Sequence, residues 1–308
     1  MQDALERHGI TVFERGWLSS NNILVRGDAN HGATLVDTGY WTHAEQTVAL
    51  LKHALGGAPL GRILNTHLHS DHCGGNAAVS EAFDCGIDVP AGEADAVDQW
   101  DEARLTYRAT GQHCPRFRRD GVIVAGAEVQ VGRWRWQVIA SPGHDPMSVA
   151  LYQPELEVLM SADALWENGF GVVFPELEGN DAFDQVAATL DRFETLSVRW
   201  VIPGHGSPFA DVAQAIARAR SRIDTFVKDP HKHALHAAKV LVKFRLLETQ
   251  AESWDTLLAW LSAASYFDEV RRRHFGGVDT ETWLRGLVGD MCRRGALEMR
   301  DGTVFNGT

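Results

Sequence analysis

Thr66-His67-Leu68-His69-Ser70-Asp71-His72 is the stretch that most limits what this chain can become. Three imidazoles and one carboxylate lie within six residues. The apolar run Arg62-Ile63-Leu64-Asn65 before it reads as a buried strand, and Cys73-Gly74-Gly75-Asn76-Ala77-Ala78-Val79 after it as the first turns of a helix. In an extended strand end, residues two apart point to one side, so His67 and His69 can converge on one ion. Asp71 and His72 follow the turn and aim elsewhere, toward a second ion. A catalytic zinc site takes three protein ligands and a water. The cluster cannot complete two such sites alone, so the fold must bring further ligands from distant loops.

Three candidates each follow a predicted strand. His144 sits in Pro142-Gly143-His144, Asp163 in Ser161-Ala162-Asp163, and His205 in Pro203-Gly204-His205-Gly206. A Gly beside a His lets the backbone approach closely and aims the ring. An Asp offers two oxygens and can bridge two cations. Asp37, in Val36-Asp37-Thr38-Gly39, reads as a supporting carboxylate rather than a ligand.

The elements around these residues run strands, helix, strand, His-bearing loop, and then repeat. Predicted strands cover 10–15, 22–26, 33–39 and the run into His67, with a helix over 42–55. Further strands are expected at 87–90, 122–124, 128–131, 134–140, 148–152, 158–163 and 200–202. Helices are expected over 93–109 and over 183–196, the second with Asp181 as its N-cap. Two sheets sandwiched together with helices outside accommodate this order better than one doubly wound sheet does. After Pro208 the texture changes to amphipathic helices over 211–227, 235–248, 254–264 and 280–294, then a hairpin over 297–305 with an Asp301-Gly302 turn. The expected domains are therefore 1–210, catalytic, and 211–308, helical and winged-helix-like.

His67-x-His69-x-Asp71-His72, then His144, Asp163 and His205, resembles the metallo-β-lactamase-fold hydrolases, with Asp37-x-Gly39 resembling their early Asp element. The resemblance covers residues 10–210 and implies an α+β, four-layer αβ/βα sandwich. It implies two divalent metal ions, zinc first, with iron, manganese or nickel as alternatives. His67, His69 and His144 would hold one ion, Asp71, His72 and His205 the other, and Asp163 would bridge them. The implied chemistry is attack by a metal-bridging hydroxide, with Asp71 as the catalytic residue that orients the nucleophile and moves a proton. Two departures from the family pattern stand out. Ala162 replaces the usual Gly before the bridging Asp, and Asp145-Pro146-Met147 follows His144 where many members carry a small or hydroxyl residue.

The substrate is less legible. Trp166 stands where the lactonase members carry a Tyr, and an indole N–H can donate a hydrogen bond but cannot act as an acid. Trp166 and Phe170 are the expected walls of an apolar acyl pocket. The glutathione-binding signature of glyoxalase II-type enzymes is not found in the tail. Residues 1–210 hold 14 Lys/Arg against 28 Asp/Glu, and the whole chain is at net −12. So acidic a body argues against a phosphate backbone as partner. Arg271-Arg272-Arg273-His274 is a short cationic run on the tail and reads as a solvated corner.

An ester, thioester or lactone is thus the expected small-molecule substrate, with a phosphodiesterase or endoribonuclease as the alternative. A third reading is a metal-bearing scaffold whose tail makes a homodimer or partner contact. Cys73, Cys85, Cys114 and Cys292 match no disulfide framework, and no apolar run approaches the ~18 residues of a membrane span. With no apolar signal core at the N-terminus, a cytoplasmic location is expected.

Overall fold

The computed structural model describes residues 1–307. Its chain divides into two compact units, one of Met1–Leu105 with His113–Ile223, the other of Thr106–Gln112 with the residues from Asp224 onward. The first unit thus runs past residue 210 and gives up a short internal segment.

The first unit is built on two sheets. Six strands, β1 (Ile10–Phe13), β2 (Asn22–Val25), β3 (Ala33–Val36), β4 (Leu60–Leu64), β5 (Gly86–Pro90) and β6 (Gly121–Ile123), lie in sequence order. β1 to β3 pair antiparallel, and β3 to β6 pair parallel. The second sheet holds β7 (Glu128–Val131), β8 (Trp134–Ala140), β9 (Val149–Gln153), β10 (Val158–Ala162) and β11 (Trp200–Pro203), in the order β11-β10-β9-β8-β7. Only its β10–β11 pair is parallel.

The inner faces meet in one core. Val25, Val36 and Leu64 from the first sheet pack with Trp136, Val138, Leu151, Met160 and Ile202 from the second. Burying each such side chain contributes about 1.5–3 kcal/mol, which is what holds two sheets face to face. β9 and β10 are buried at every position, so they read in sequence as continuous apolar runs rather than alternating ones. Helices Ala44–Leu55, Asn76–Phe83 and Ala182–Glu194 accompany the sheets, completing the four-layer sandwich.

Two local expectations are corrected. The helix expected over 93–109 is broken into Ala94–Gln99 and Tyr107–Thr110. Asp101 Oδ1 accepts from the N–H groups of Ala103 and Arg104, at 3.1 and 3.3 Å, so a side-chain turn replaces the helical ladder there. Asp181 flanks the helix Ala182–Glu194 but its side chain makes no cap. Glu176 Oε2 accepts from Ala182 N and Phe183 N instead, at 2.8 and 2.9 Å.

The helix Val212–Lys228 carries the chain into the second unit. There helices Pro230–Thr249, Trp254–Ala263, Ser265–His274 and Thr280–Arg293 accompany a three-stranded antiparallel sheet. Its strands are β12 (Ala251–Ser253), β13 (Leu297–Arg300) and β14 (Thr303–Asn306), in the order β12-β14-β13. Asp301 and Gly302 both have positive φ, 48° and 74°, as the tight hairpin turn requires. Lys243 Nζ donates to Ala296 O, Asn306 Oδ1 and Gly307 O and so ties the hairpin to its helix. Arg271 and Arg272 pair with Asp268, and Arg273 with Glu269, so the cationic run is largely offset within its own helix. Among the described residues no helix is long and apolar enough to cross a membrane.

Candidate metal centre

Every candidate ligand follows a strand end, so the two sheets set their spacing. β4 runs out through Asn65 and Thr66 to His67. His69 is still extended, at φ −64° and ψ 148°, and the helix Ser70–Cys73 then turns Asp71 and His72 away from it. β8 leads to His144, β10 to Asp163, and β11 to His205. Gly204 is needed for close approach, because a Cβ there would overlap Asp163 Oδ1 and His72 Cε1. Ala162 has φ 48°, in the left-handed region. The departure from Gly at this position therefore carries backbone strain of about 1–2 kcal/mol.

The structure brings together all seven residues. His67, His69 and His144 form one group, Asp71, His72 and His205 a second, and His67, His72 and Asp163 a third between them. Within each group the ligand atoms lie within 4.8 Å of one another. His69 Nδ1 faces His144 Nε2 at 2.8 Å, and His205 Nε2 faces Asp71 Oδ2 at 3.1 Å. Asp163 Oδ2 lies 3.4 Å from His144 Nε2 and 3.9 Å from His205 Nε2, while its Oδ1 lies 3.4 Å from His72 Nε2. One carboxylate thus faces nitrogens of both outer groups.

The outward nitrogens of three rings are already used, which fixes what their inner nitrogens present. His72 Nδ1 donates to Asp37 Oδ2 at 2.7 Å, and His144 Nδ1 donates to Val172 O at 2.5 Å. Thr66 Oγ1 gives its proton to Asp37 Oδ2 at 2.7 Å and so accepts from His67 Nδ1 at 3.2 Å. Asp37 Oδ1 also accepts from Thr66 N at 2.9 Å. The Nε2 atoms of His67, His72 and His144 therefore turn toward the centre, free to offer lone pairs as the rings of a metal site do. His67 Nε2 and His72 Nε2 are buried with no hydrogen-bond partner. An unmet buried polar group costs about 1–3 kcal/mol, so these atoms fit a cation that accepts their lone pairs.

The electrostatics agree. Burial holds His67 well below the ordinary imidazole range, with His72 and His69 adding to it. Burial, then His69, holds His144 down at about 4. Burial opposes charge on His72, but Asp163 and Asp37 outweigh it and raise its pKa well above the usual value. Burial likewise opposes the Asp163 carboxylate, and His72 and His205 outweigh that, holding its pKa well below the usual value. Neutral His67 and His144 around an ionised carboxylate are the protonation states a divalent cation requires. The field that draws a proton onto His72 is the same field that would draw a cation to its Nε2. The donors are nitrogen and oxygen only, which suits zinc, iron, manganese or nickel.

Trp166 is half-buried, and its indole N–H donates to Asp163 Oδ1 at 3.2 Å. Phe170, expected as a pocket wall, is 2% exposed and lies beneath the Arg222 guanidinium, so it packs rather than faces solvent. Three more apolar residues lie near the centre, and of these only Trp17 escaped the sequence reading. Trp17 is 58% exposed and stacks on His205, with ring centroids 5.5 Å apart and planes 11° apart. Its loop is pinned by Ser20 N to Asp71 O and by Asn21 N to Gly204 O. Phe174 sets its ring edge against His69 and lies 6.1 Å from the His144 ring. Met147 is exposed just after His144. A Trp flanked by Gly16 and Ser19-Ser20-Asn21 was the available signal, since a large aromatic in a turn has no strand face to bury it.

Asp145, the second departure, makes its own turn by accepting from Met147 N at 2.7 Å and lies 3.9 Å from His69 Nε2. Near it Glu93 is pushed up to about 7 by burial and then by the Asp145 charge. The run His231-x-His233-x-x-His236 lies on the helix Pro230–Thr249 and joins none of the three ligand groups.

A two-sheet sandwich with a His/Asp centre at its strand ends defines a class of metal-binding αββα proteins. The sequence profile of the metallo-beta-lactamase superfamily matches residues 15–205, and the chain belongs to that superfamily. It is 35% identical over 115 residues to a hydroxyacylglutathione hydrolase of Hyphomonas neptunium, covering 37% of this chain and 38% of that protein. It is 32% identical over 171 residues to a hydroxyacylglutathione hydrolase of Rhodospirillum rubrum, covering 55% and 56%. The chain thus spans about half or less of the length of these curated relatives. Among solved structures, TTHA1623 in a di-iron-bound form is 28% identical with a TM-score of 0.54, covering 68% of this chain and 98% of that one. The family protein TTHA1429 from Thermus thermophilus is 21% identical with a TM-score of 0.57, covering 97% and 98%, and shows the fold alone.

Proposed function

We propose that this chain is a metal-dependent hydrolase of acyl thioesters and related esters or lactones. His67, His69 and His144 would hold one divalent cation, Asp71, His72 and His205 a second, with Asp163 between them. The observation that carries this reading is the pair of ligand groups sharing one carboxylate. The di-iron form of TTHA1623 supports a two-metal centre, and zinc is the first choice here. Bound cations would supply Lewis acidity toward the acyl oxygen and acidify a water for attack at neutral pH.

The chain's own groups do the rest. The Asp71 side chain is 15% exposed against 5% for Asp163, so it is the carboxylate a water can reach. Its Oδ2 lies 3.1 Å from His205 Nε2, its neighbour in the second ligand group, where it would orient that water and take its proton. Trp17, Phe174 and Met147 offer apolar surface to an acyl group beside the histidines. The hydroxyacylglutathione hydrolase relatives put thioesters first among substrates. The acidic body disfavours nucleic acid, and free thiols support a cytoplasmic site of action. We also read the second unit as winged-helix-like, which its sheet order β12-β14-β13 among helices supports.

The test is a substrate panel on zinc-loaded protein, varying both acyl group and thiol, with release of thiol followed by a chromogenic disulfide. Turnover of S-lactoylglutathione or of acyl-coenzyme thioesters is the expected result. Cleavage of bis-nitrophenyl phosphate or single-stranded RNA, with no thioester turned over, overturns it in favour of phosphodiester chemistry. Silence on every substrate, with metal bound and a tight dimer in solution, favours the scaffold reading.

A further inference from the structure

We infer that Trp166 is a positioning residue for Asp163, its indole N–H fixing the plane of that carboxylate between the two ligand groups. The inference rests on the two-cation reading above. The loop after β10 folds back on itself to make this contact. Gly171 N donates to Asp163 O at 2.9 Å, Trp166 N to Gly169 O at 2.7 Å, and Ser161 Oγ to Leu165 O at 2.6 Å. These bonds return the Trp166 ring to the carboxylate three residues earlier, where Nε1 donates to Oδ1 at 3.2 Å. The ring is held from the side by Trp17 and His205, with centroids 5.3 and 5.5 Å away.

The two oxygens of a carboxylate are chemically alike, so a donor on one of them sets the plane rather than the identity of the other. With Oδ1 on the indole, Oδ2 stays 3.4 Å from His144 Nε2 and 3.9 Å from His205 Nε2, one nitrogen from each outer group. Without the donor the carboxylate can rotate about its last bond, and its shared oxygen leaves that position. An indole N–H is a donor only and never titrates. Trp166 therefore orients Asp163 at every pH and cannot serve as a proton carrier. This assigns its polar atom to the centre itself, and leaves only the ring face to any substrate.

Trp166→Phe removes the N–H and keeps an aromatic ring; Trp166→Leu removes the ring as well. Metal-free protein of each variant is titrated with zinc against a chromophoric chelator, and its thermal unfolding is followed by circular dichroism. The wild type is expected to take two equivalents. Trp166→Phe is expected to keep the first at wild-type affinity and to bind the second on the order of 10- to 100-fold more weakly, with its metal-free melting unchanged. Wild-type affinity for both equivalents in Trp166→Phe overturns the inference and leaves the two-cation reading standing. Loss of metal-free stability in Trp166→Phe as large as in Trp166→Leu, with both equivalents weakened alike, makes the role one of packing and also overturns it. A wild type that takes fewer than two equivalents overturns the reading and the inference together.

Discussion

Asp37→Asn is the substitution whose effect the structure specifies most fully. Asp37 is 3% exposed and receives four donors. Thr66 N reaches Oδ1 at 2.9 Å, with Asn65 Nδ2 at its outer limit of 3.5 Å, and Thr66 Oγ1 and His72 Nδ1 both reach Oδ2 at 2.7 Å. An Asn side chain keeps one acceptor oxygen, which serves Thr66 N. Its NH2 group then faces the Thr66 hydroxyl and the His72 N–H, two donors where an acceptor stood. Hydrogen bonds to a charged group contribute about 1.5–3 kcal/mol each, so losing two costs roughly 3–6 kcal/mol. At about 2–4 °C per kcal/mol for a unit of this size, the metal-free protein should melt at least ~6 °C lower. Both His67, through Thr66, and His72 lose their orientation, one from each side of the centre. Zinc affinity should therefore fall on the order of 10- to 100-fold for both equivalents. The assay is thermal unfolding of metal-free protein together with zinc competition against a chelator. A melting point within about 1–2 °C of wild type, well inside the expected shift, with unchanged affinity would refute the argument that Asp37 orients the two rings.

Three further predictions follow from strain and burial. His144 is held at about 4 by burial and His69, below its unfolded value, so the unfolded chain takes up a proton first as pH falls. Metal-free protein should lose on the order of 3 kcal/mol between pH ~6.5 and ~4 from this group, and His144→Asn should flatten that slope in urea titrations. Glu93 is raised to about 7 by burial and Asp145, above its unfolded value, so the folded state loses stability as pH rises from ~4.5 to ~7. Glu93→Gln should be more stable than wild type by about 3 kcal/mol at pH ~8 and indistinguishable from it at pH ~4, measured by urea unfolding of metal-free protein. Ala162 sits at φ 48°, so Ala162→Gly should relieve about 1–2 kcal/mol of strain against the ~0.5–1 kcal/mol entropic cost of Gly, a small net gain in melting temperature.

The centre was legible in the sequence because its ligands sit at strand ends, where apolar runs give way to Gly and His. β10 is buried throughout, so Asp163 just past it stands out in any reading of hydropathy. The departures at Ala162 and Asp145 were legible too, but their meaning was not. The change at Ala162 looks mild until its left-handed backbone is seen. The role of Trp166 depends on a loop that folds back by main-chain bonds, which residue types do not announce. Trp17 is distant in sequence from every ligand and reaches His205 only because β1 and β2 bring their loop to the same end of the sandwich. Segments with few apolar residues were read least well. The break at Trp100 follows from a single Asp101 side chain competing with the helix, and the helix Ser265–His274 is too polar to show a buried face clearly.

The central claim is that one His/Asp centre holds two cations and that hydrolysis depends on them. The most direct measurement pairs metal content with thioester turnover for the wild type, His67→Ala and Asp163→Ala, each checked for folding by circular dichroism. Two equivalents of metal and turnover in the wild type, with metal lost and turnover at background in both folded variants, is the predicted result. Wild-type turnover in either variant at background metal content would contradict the account.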